Sequence, residues 1–283
     1  WLEAIGELTL PIDLDRVRQL LPTTPFGQGA LLREPAPLTW GRSEGALVRN
    51  PEHPAEWGIF YNANARPERQ RFTIAHELGH FVLHRDLQRR FDCDQESVYS
   101  GIDTLKQIER EADDFASTLL MPAHRLRERI ERQRIDVQLL SELAREFGVS
   151  LEAMCIRVAK LTEQRLVLVY WDYGFMKYQW RSRSAIRTRV RLHRTDDPQE
   201  PFAETLAADE AVVQEWAGVQ MPAARWCASE PPGISLREMK HSYPEGHRVL
   251  SLLVLESAAP RDGEMRGWDE EDHSEGDRLT WGR

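Results

Sequence analysis

Arg71-Phe72-Thr73-Ile74-Ala75-His76-Glu77-Leu78-Gly79-His80 is the stretch that decides how this chain is read. Its apolar residues recur at helical spacing, so His76 and His80, four apart, point their imidazoles to one side of a helix. Two converging nitrogens suit a zinc ion. Glu77 then stands next to the metal without binding it, placed to take a proton from a water there. That combination is the core of a zinc peptidase. The alternative is an ordinary amphipathic helix with surface histidines, and a third ligand is needed to separate the two.

His84 continues the run, but its spacing is too short for the zinc peptidases that add a distant third histidine after a glycine turn. A better source is Ile108-Glu109-Arg110-Glu111-Ala112-Asp113-Asp114-Phe115-Ala116, a predicted helix opened by Asp103 or Thr104 and ended by Met121-Pro122. Glu109 and Asp113, four apart, share a face. The first can bind zinc while the second accepts a hydrogen bond from a ligand imidazole. Glu111 is the rival ligand, but it has no carboxylate four residues on.

Arg69 to His84, together with Glu109-x-x-x-Asp113-x-Phe115-Ala116-x-x-Leu119-Leu120-Met121-Pro122, resembles the signature of the ImmA/IrrE-type bacterial metallopeptidases. The resemblance covers the first half of the chain. It implies zinc on His76, His80 and Glu109, with Glu77 as catalytic base. It also implies a cytoplasmic peptidase that cuts a partner helix-turn-helix repressor, encoded alongside, after DNA damage or another stress. Better-known members carry a sensor domain resembling a GAF fold in their later part. The same domain order is similar to that of CapP-like peptidases, which accompany anti-phage signalling operons.

Composition fits that expectation. The 283 residues suffice for two or three domains. No apolar run approaches a membrane span, so no membrane partner is expected, and Trp1 opens no recognisable signal peptide, although the missing initiator Met leaves the true start open. Cys93, Cys155 and Cys227 are odd in number and suggest no disulfide framework. The net charge of −9 gives no global pull toward nucleic acid.

The expected fold class is α+β. A zincin-like peptidase domain occupies residues 1–123, a helix-turn-helix segment 124–162, and a β-rich, GAF-like sensor domain 163–283. The peptidase region should hold a short helix near Leu14–Leu21 and a strand pair near Ala46–Val48 and Gly58–Asn62, giving a substrate an edge on which to lie extended. Leu139 to Met154 reads as two helices broken at Gly148, either a DNA-binding helix-turn-helix or a helical hairpin packed on the peptidase. The second helix opens with Leu151 and Glu152, poor donors for bases and phosphates.

Farther on, Arg165–Trp171 and Phe175–Trp180 read as a strand pair. Ile186, Thr188, Val190 and Leu192 then alternate with Arg187, Arg189, Arg191 and His193, which predicts another strand with an arginine face. Lys177–Arg194 holds seven Lys/Arg and no acid, with Tyr178 and Trp180 inside it. Lys177, Trp180, Arg187, Arg189 and Arg191 would therefore suit single-stranded DNA, the charges following the backbone and the rings stacking bases. The other reading makes the aromatics a β core and pairs the arginines with the acidic run Asp269–Asp272.

Two further expectations concern the zinc site. Cys93, in the loop between the two metal-binding helices, is either an inhibitory fourth zinc ligand or a structural cysteine. Tyr61, His84 and Tyr99 are the candidates for steadying the oxyanion. Two other functions compete with a triggered repressor-cutting peptidase: a DNA-binding regulator whose zinc is structural, and a peptidase that cuts an antitoxin constitutively.

Overall fold

A computed structural model describes residues 3, 6, 9–38, 44–92, 103–131, 133–194 and 198–256. The chain divides into two compact units, Trp1–Pro122 with Ala144–Ser150, and Ala123–Leu143 with Leu151–Arg283.

In the first unit the helix α1 (Leu14–Leu20) is capped by Asp13, whose carboxylate accepts from the Arg16 amide. Five short strands follow: β1 (Leu31–Leu32), β2 (Ala36–Leu38), β3 (Gly45–Arg49), β4 (Glu56–Asn62) and β5 (Arg90–Asp92). The strand pair read from the sequence forms as β3 antiparallel to β4, with Leu47 opposite Ile59 and Gly45 opposite Tyr61. Both β1 and β2 run parallel to β4, and β5 pairs antiparallel to β3.

Helix α2 (Pro67–Leu83) carries the histidine pair. Pro67 sits in its first turn, where its missing N–H costs nothing. Phe72, Ala75, Leu78 and Phe81 are buried, and the Phe81 ring meets Trp57 of β4 edge-on. Helix α3 (Asp103–Leu120) buries Ile108, Ala112, Ala116 and Leu120, one residue per turn. The two helices approach at small residues: a methyl group on Gly79 would lie 3.1 Å from the Ala112 Cα. Glycine there lets α3 close on α2, and Glu109 and Asp113, each one residue after the buried stripe, are carried to the histidines.

In α5 (Val137–Phe147) and α6 (Leu151–Leu161) the break falls where it is expected. Gly148 has φ +66°, and the Val149 amide returns to the Ala144 carbonyl, a Schellman ending. The Arg71 guanidinium donates to the Gly148 carbonyl and to that of Ile12, tying α2 to the turn.

The second unit also contains α4 (Ala123–Ile130), α7 (Arg183–Arg187) and an antiparallel sheet of five strands. These are β6 (Arg165–Asp172), β7 (Phe175–Arg181), β8 (Gln214–Pro222), β9 (Ser235–Ser242) and β10 (Arg248–Leu255), in the order β7-β6-β10-β9-β8. The β6–β7 hairpin turns on Tyr173 and Gly174, both at positive φ, as a two-residue loop that matches strand twist requires. One face of the sheet packs Val167, Val169, Trp171, Leu236 and Leu253 into a core with Trp226.

Two sequence expectations are corrected here. Every residue from Glu152 to Ala159 on α6 is buried, Arg157 among them, so this helix has no free face for a DNA groove and the recognition-helix reading fails. The alternation from Ile186 to Leu192 is no strand either. Ser182 caps α7 by accepting from the Ala185 amide, the chain turns at Arg189 with φ +56°, and Leu192 makes only an isolated bridge to Cys227. A serine cap starts a helix that period-two counting cannot see, and Ala185 and Val190 still reach the core.

Candidate metal centre

The site is built from one face of α2 and the edge of α3. The His76 and His80 Nε2 atoms lie 3.0 Å apart, and the Glu109 carboxylate faces both, Oε2 3.3 Å from His76 Nε2 and Oε1 3.4 Å from His80 Nε2. One donor atom from each of these residues falls within 4.8 Å of the others, which makes a three-point cradle for a metal ion. A tetrahedral zinc with Zn–N of about 2.0–2.1 Å spaces two nitrogens roughly 3.3 Å apart, so the donors already stand near ligand spacing.

Partners on the far side of the rings set which nitrogen faces the cradle. His76 Nδ1 lies 2.9 Å from Asp113 Oδ1. His80 Nδ1 lies 3.2 Å from His84 Nδ1, and the His80 ring stacks on Phe91 of β5 at 4.7 Å. Burial pushes His80 down to about 4, an effect that Glu109 only partly offsets, so the ring is neutral and able to bind metal near pH 7. Burial alone would raise Glu109, but hydrogen bonds from His76 and His80 together outweigh it and keep the carboxyl ionised.

Glu77 is fully buried and points to β3. A methyl group on Gly45 would sit 2.3 Å from Thr73 Cγ2 and 2.8 Å from Glu77 Oε1. Glycine at this strand position therefore leaves room for the Glu77 carboxylate. Gly45→Ala is expected to cost about 1–3 kcal/mol of stability through overpacking. By displacing Glu77 it should also slow peptide cleavage roughly tenfold or more. Zinc affinity should stay unchanged, and a variant that cleaves normally would show that the glycine does not govern Glu77.

The family model of the IrrE N-terminal-like domain (Peptidase_M78) matches residues 36–159, the span that contains every one of these groups. Over that segment the chain is similar to the IrrE-type metallopeptidase domain. The chain is 37% identical over 135 residues to the radiation response metalloprotease IrrE of Deinococcus radiodurans, covering 48% of this chain and 38% of that protein. To its counterpart in Deinococcus deserti it is 38% identical over 126 residues, covering 44% and 42%. The chain thus matches about two fifths of the length of these relatives. In fold it is similar to a Mycobacterium tuberculosis transcriptional regulator, with a TM-score of 0.50 and 18% identity over 90% of this chain and 73% of that one.

Helices α2 and α3 bring His76, Glu77, His80, Glu109 and Asp113 together. Glu111, the rival ligand, is turned away and meets His84 Nε2 at 2.9 Å. His84 is buried between His80 and Glu111, with both ring nitrogens engaged, so it is removed from the oxyanion candidates. Tyr61 stands opposite Gly45 in the β3–β4 register and keeps its candidacy. Cys93, Tyr99 and the acidic run Asp269–Asp272 lie outside the described residues. Cys155 and Cys227 are buried free thiols.

The proposed nucleic-acid residues are not gathered as expected. Trp180 is buried and covered by the Lys160 ammonium, 5.2 Å from its ring, so it offers no face to a base. Arg187 is exposed but pairs with Glu163 at 2.8 Å, while Lys177, Arg189 and Arg191 are exposed. Sequence reasoning missed Gly45, Phe91 and the His84–Glu111 pair. For the last, the i+4 step from His80 to His84 was a usable signal.

The His80 burial has a pH consequence for the metal-free protein. Its folded value, about 4, lies below the ordinary 6.5, so the unfolded chain binds the extra proton between those pH values. Stability is complete above about 6.5 and falls as pH drops toward 4, by at most on the order of 3 kcal/mol. Urea midpoints of chelator-treated protein at pH 7.5 and pH 5 should differ, and differ less in His80→Gln. Equal pH dependence in the two proteins would contradict the assignment.

Proposed function

We propose that this chain is a zinc-dependent endopeptidase that cuts a partner helix-turn-helix repressor in response to DNA damage or single-stranded DNA, relieving repression of a stress or anti-phage operon. The convergence of His76, His80 and Glu109 with Glu77 beside them carries the catalytic part of this reading. A donor set of two imidazoles and one carboxylate fits zinc with a position left for a reactant, whereas structural zinc sites usually close with four Cys/His ligands. That disfavours the reading as a DNA-binding regulator with structural zinc.

When bound, zinc supplies a Lewis acid that acidifies water and polarises the scissile carbonyl. Glu77 takes the proton of the attacking water and hands it to the leaving amine. Asp113 orients His76 by accepting from its Nδ1. A substrate segment lies extended along β5, which among the described residues pairs only with β3 and whose Phe91 packs on His80. The pairing of extended backbones favours a flexible, accessible stretch of the partner.

The nucleic-acid signal rests on the exposed cations Lys177, Arg187, Arg189 and Arg191, without Trp180. The second unit, a five-stranded antiparallel sheet with its own core, supports a GAF-like sensor role. Zinc-loaded protein mixed with the repressor encoded beside this gene, with and without single-stranded DNA, tests both parts. Cleavage only with DNA supports the whole reading. Cleavage without DNA keeps the peptidase and discards the trigger, as constitutive cutting of an antitoxin would also require. Zinc uptake without cleavage of the repressor rejects this substrate.

A further inference from the structure

Two histidines of α2 face the metal cradle, and each is backed by a carboxylate of α3, but by different routes. His76 meets Asp113 directly at 2.9 Å. Among the described residues His80 meets no carboxylate on its Nδ1 side. It meets His84 Nδ1 at 3.2 Å, and His84 Nε2 in turn meets Glu111 Oε2 at 2.9 Å. His84 is almost fully buried, while Glu111 is partly exposed and also accepts from Gln107.

We infer that His84 and Glu111 are positioning residues that orient His80 for metal binding through a two-step hydrogen-bond relay. The inference rests on the metal-centre reading above. Its direction follows from proton counting. A histidine that binds metal through Nε2 carries its proton on Nδ1. His80 Nδ1–H therefore donates to His84 Nδ1, which must be the bare nitrogen of a neutral ring. The His84 proton is then on Nε2 and is donated to Glu111. A reversed relay would turn a bare His84 Nε2 toward a carboxylate, lone pair against lone pair.

The geometry also explains why the relay needs an extra ring. Asp113 lies four residues after Glu109 on the stripe beside His76. His80 is one turn farther along α2, where the carboxylate one turn back on α3 is Glu109, which already faces the Nε2 side, while Glu111 meets His84. His84, which closes α2 with its amide on the His80 carbonyl, spans the gap. Phe91 stacked on His80 blocks ring tilt from the strand side. The consequence is a defined chemical requirement at position 84: one acceptor toward His80 and one donor toward Glu111. Glutamine meets that requirement with its carbonyl and amide groups, and leucine does not.

The test is zinc affinity, measured by competition with a chromogenic chelator on purified full-length protein, beside the melting temperature of the metal-free form. His84→Leu is expected to weaken zinc binding about 10–100-fold, the range typical of lost hydrogen-bond partners of ligands. His84→Gln should stay close to wild type. Glu111→Ala, at an exposed position, should weaken binding with an unchanged metal-free melting temperature. Wild-type zinc affinity in His84→Leu overturns the relay, as does an equal loss in His84→Gln and His84→Leu. If His84→Leu fails to fold, Glu111→Ala decides: weaker zinc binding supports the relay and unchanged binding overturns it. A wild-type protein that takes up no zinc overturns the metal centre and the relay with it.

Discussion

Glu77→Gln is expected to lower peptide cleavage by about 10²–10⁴-fold, the range that general acid–base catalysis contributes. Glutamine preserves the shape of a side chain that is fully buried against Gly45 and Thr73, so fold and packing should survive. The amide cannot accept and return the proton that peptide hydrolysis moves from water to the leaving amine. Glu77 is outside the three-donor cradle, so zinc content should match wild type. Zinc by elemental analysis and cleavage on the same sample separate the two properties. A zinc-loaded Glu77→Gln protein that cleaves at the wild-type rate would remove Glu77 from the chemistry. Lost zinc would mean that it holds the metal instead.

Glu109→Ala should abolish detectable cleavage and weaken zinc binding by more than about 100-fold, because even residues that only support metal ligands cost 10–100-fold when lost. The carboxylate presents one oxygen to each of the two histidines, at 3.3 and 3.4 Å, and among the described residues contributes the only negative charge in the cradle. Thermal stability gives an independent readout. Excess zinc raises the melting temperature of a protein that binds it when folded, by mass action. Wild type should show that rise, and Glu109→Ala should not. Glu111→Ala, which spares the cradle, should retain most of it. A reversal of the two variants would return the third-ligand role to Glu111.

Contiguous sequence was enough to group the candidate donors because helical periodicity is a local rule. His76 and His80 must share a face wherever the helix goes, and the same holds for Glu109 and Asp113. Gly148 likewise announced the end of α5, since a residue at φ +66° is a common helix terminator. The strand pair β3–β4 was also placed from the sequence, near Ala46–Val48 and Gly58–Asn62. The arginine stretch was misread for a related reason. Period-two counting weighs side chains, whereas α7 is started by one backbone-capping serine, Ser182, and stopped at Arg189.

By itself, then, the sequence determined which side chains share a helix face, and so the donor types of the candidate metal centre and the place of Glu77 beside it. Only the tertiary structure decided which carboxylate of α3 meets which histidine of α2. That pairing depends on Gly79 admitting Ala112 to close contact, and the seat of Glu77 depends on Gly45 leaving it space, both encounters between residues far apart in the chain. The same holds for the burial of α6 and Trp180, which removed a DNA-reading helix and a stacking ring from the account. Exposure is a property of what packs against a residue, and no local pattern records it.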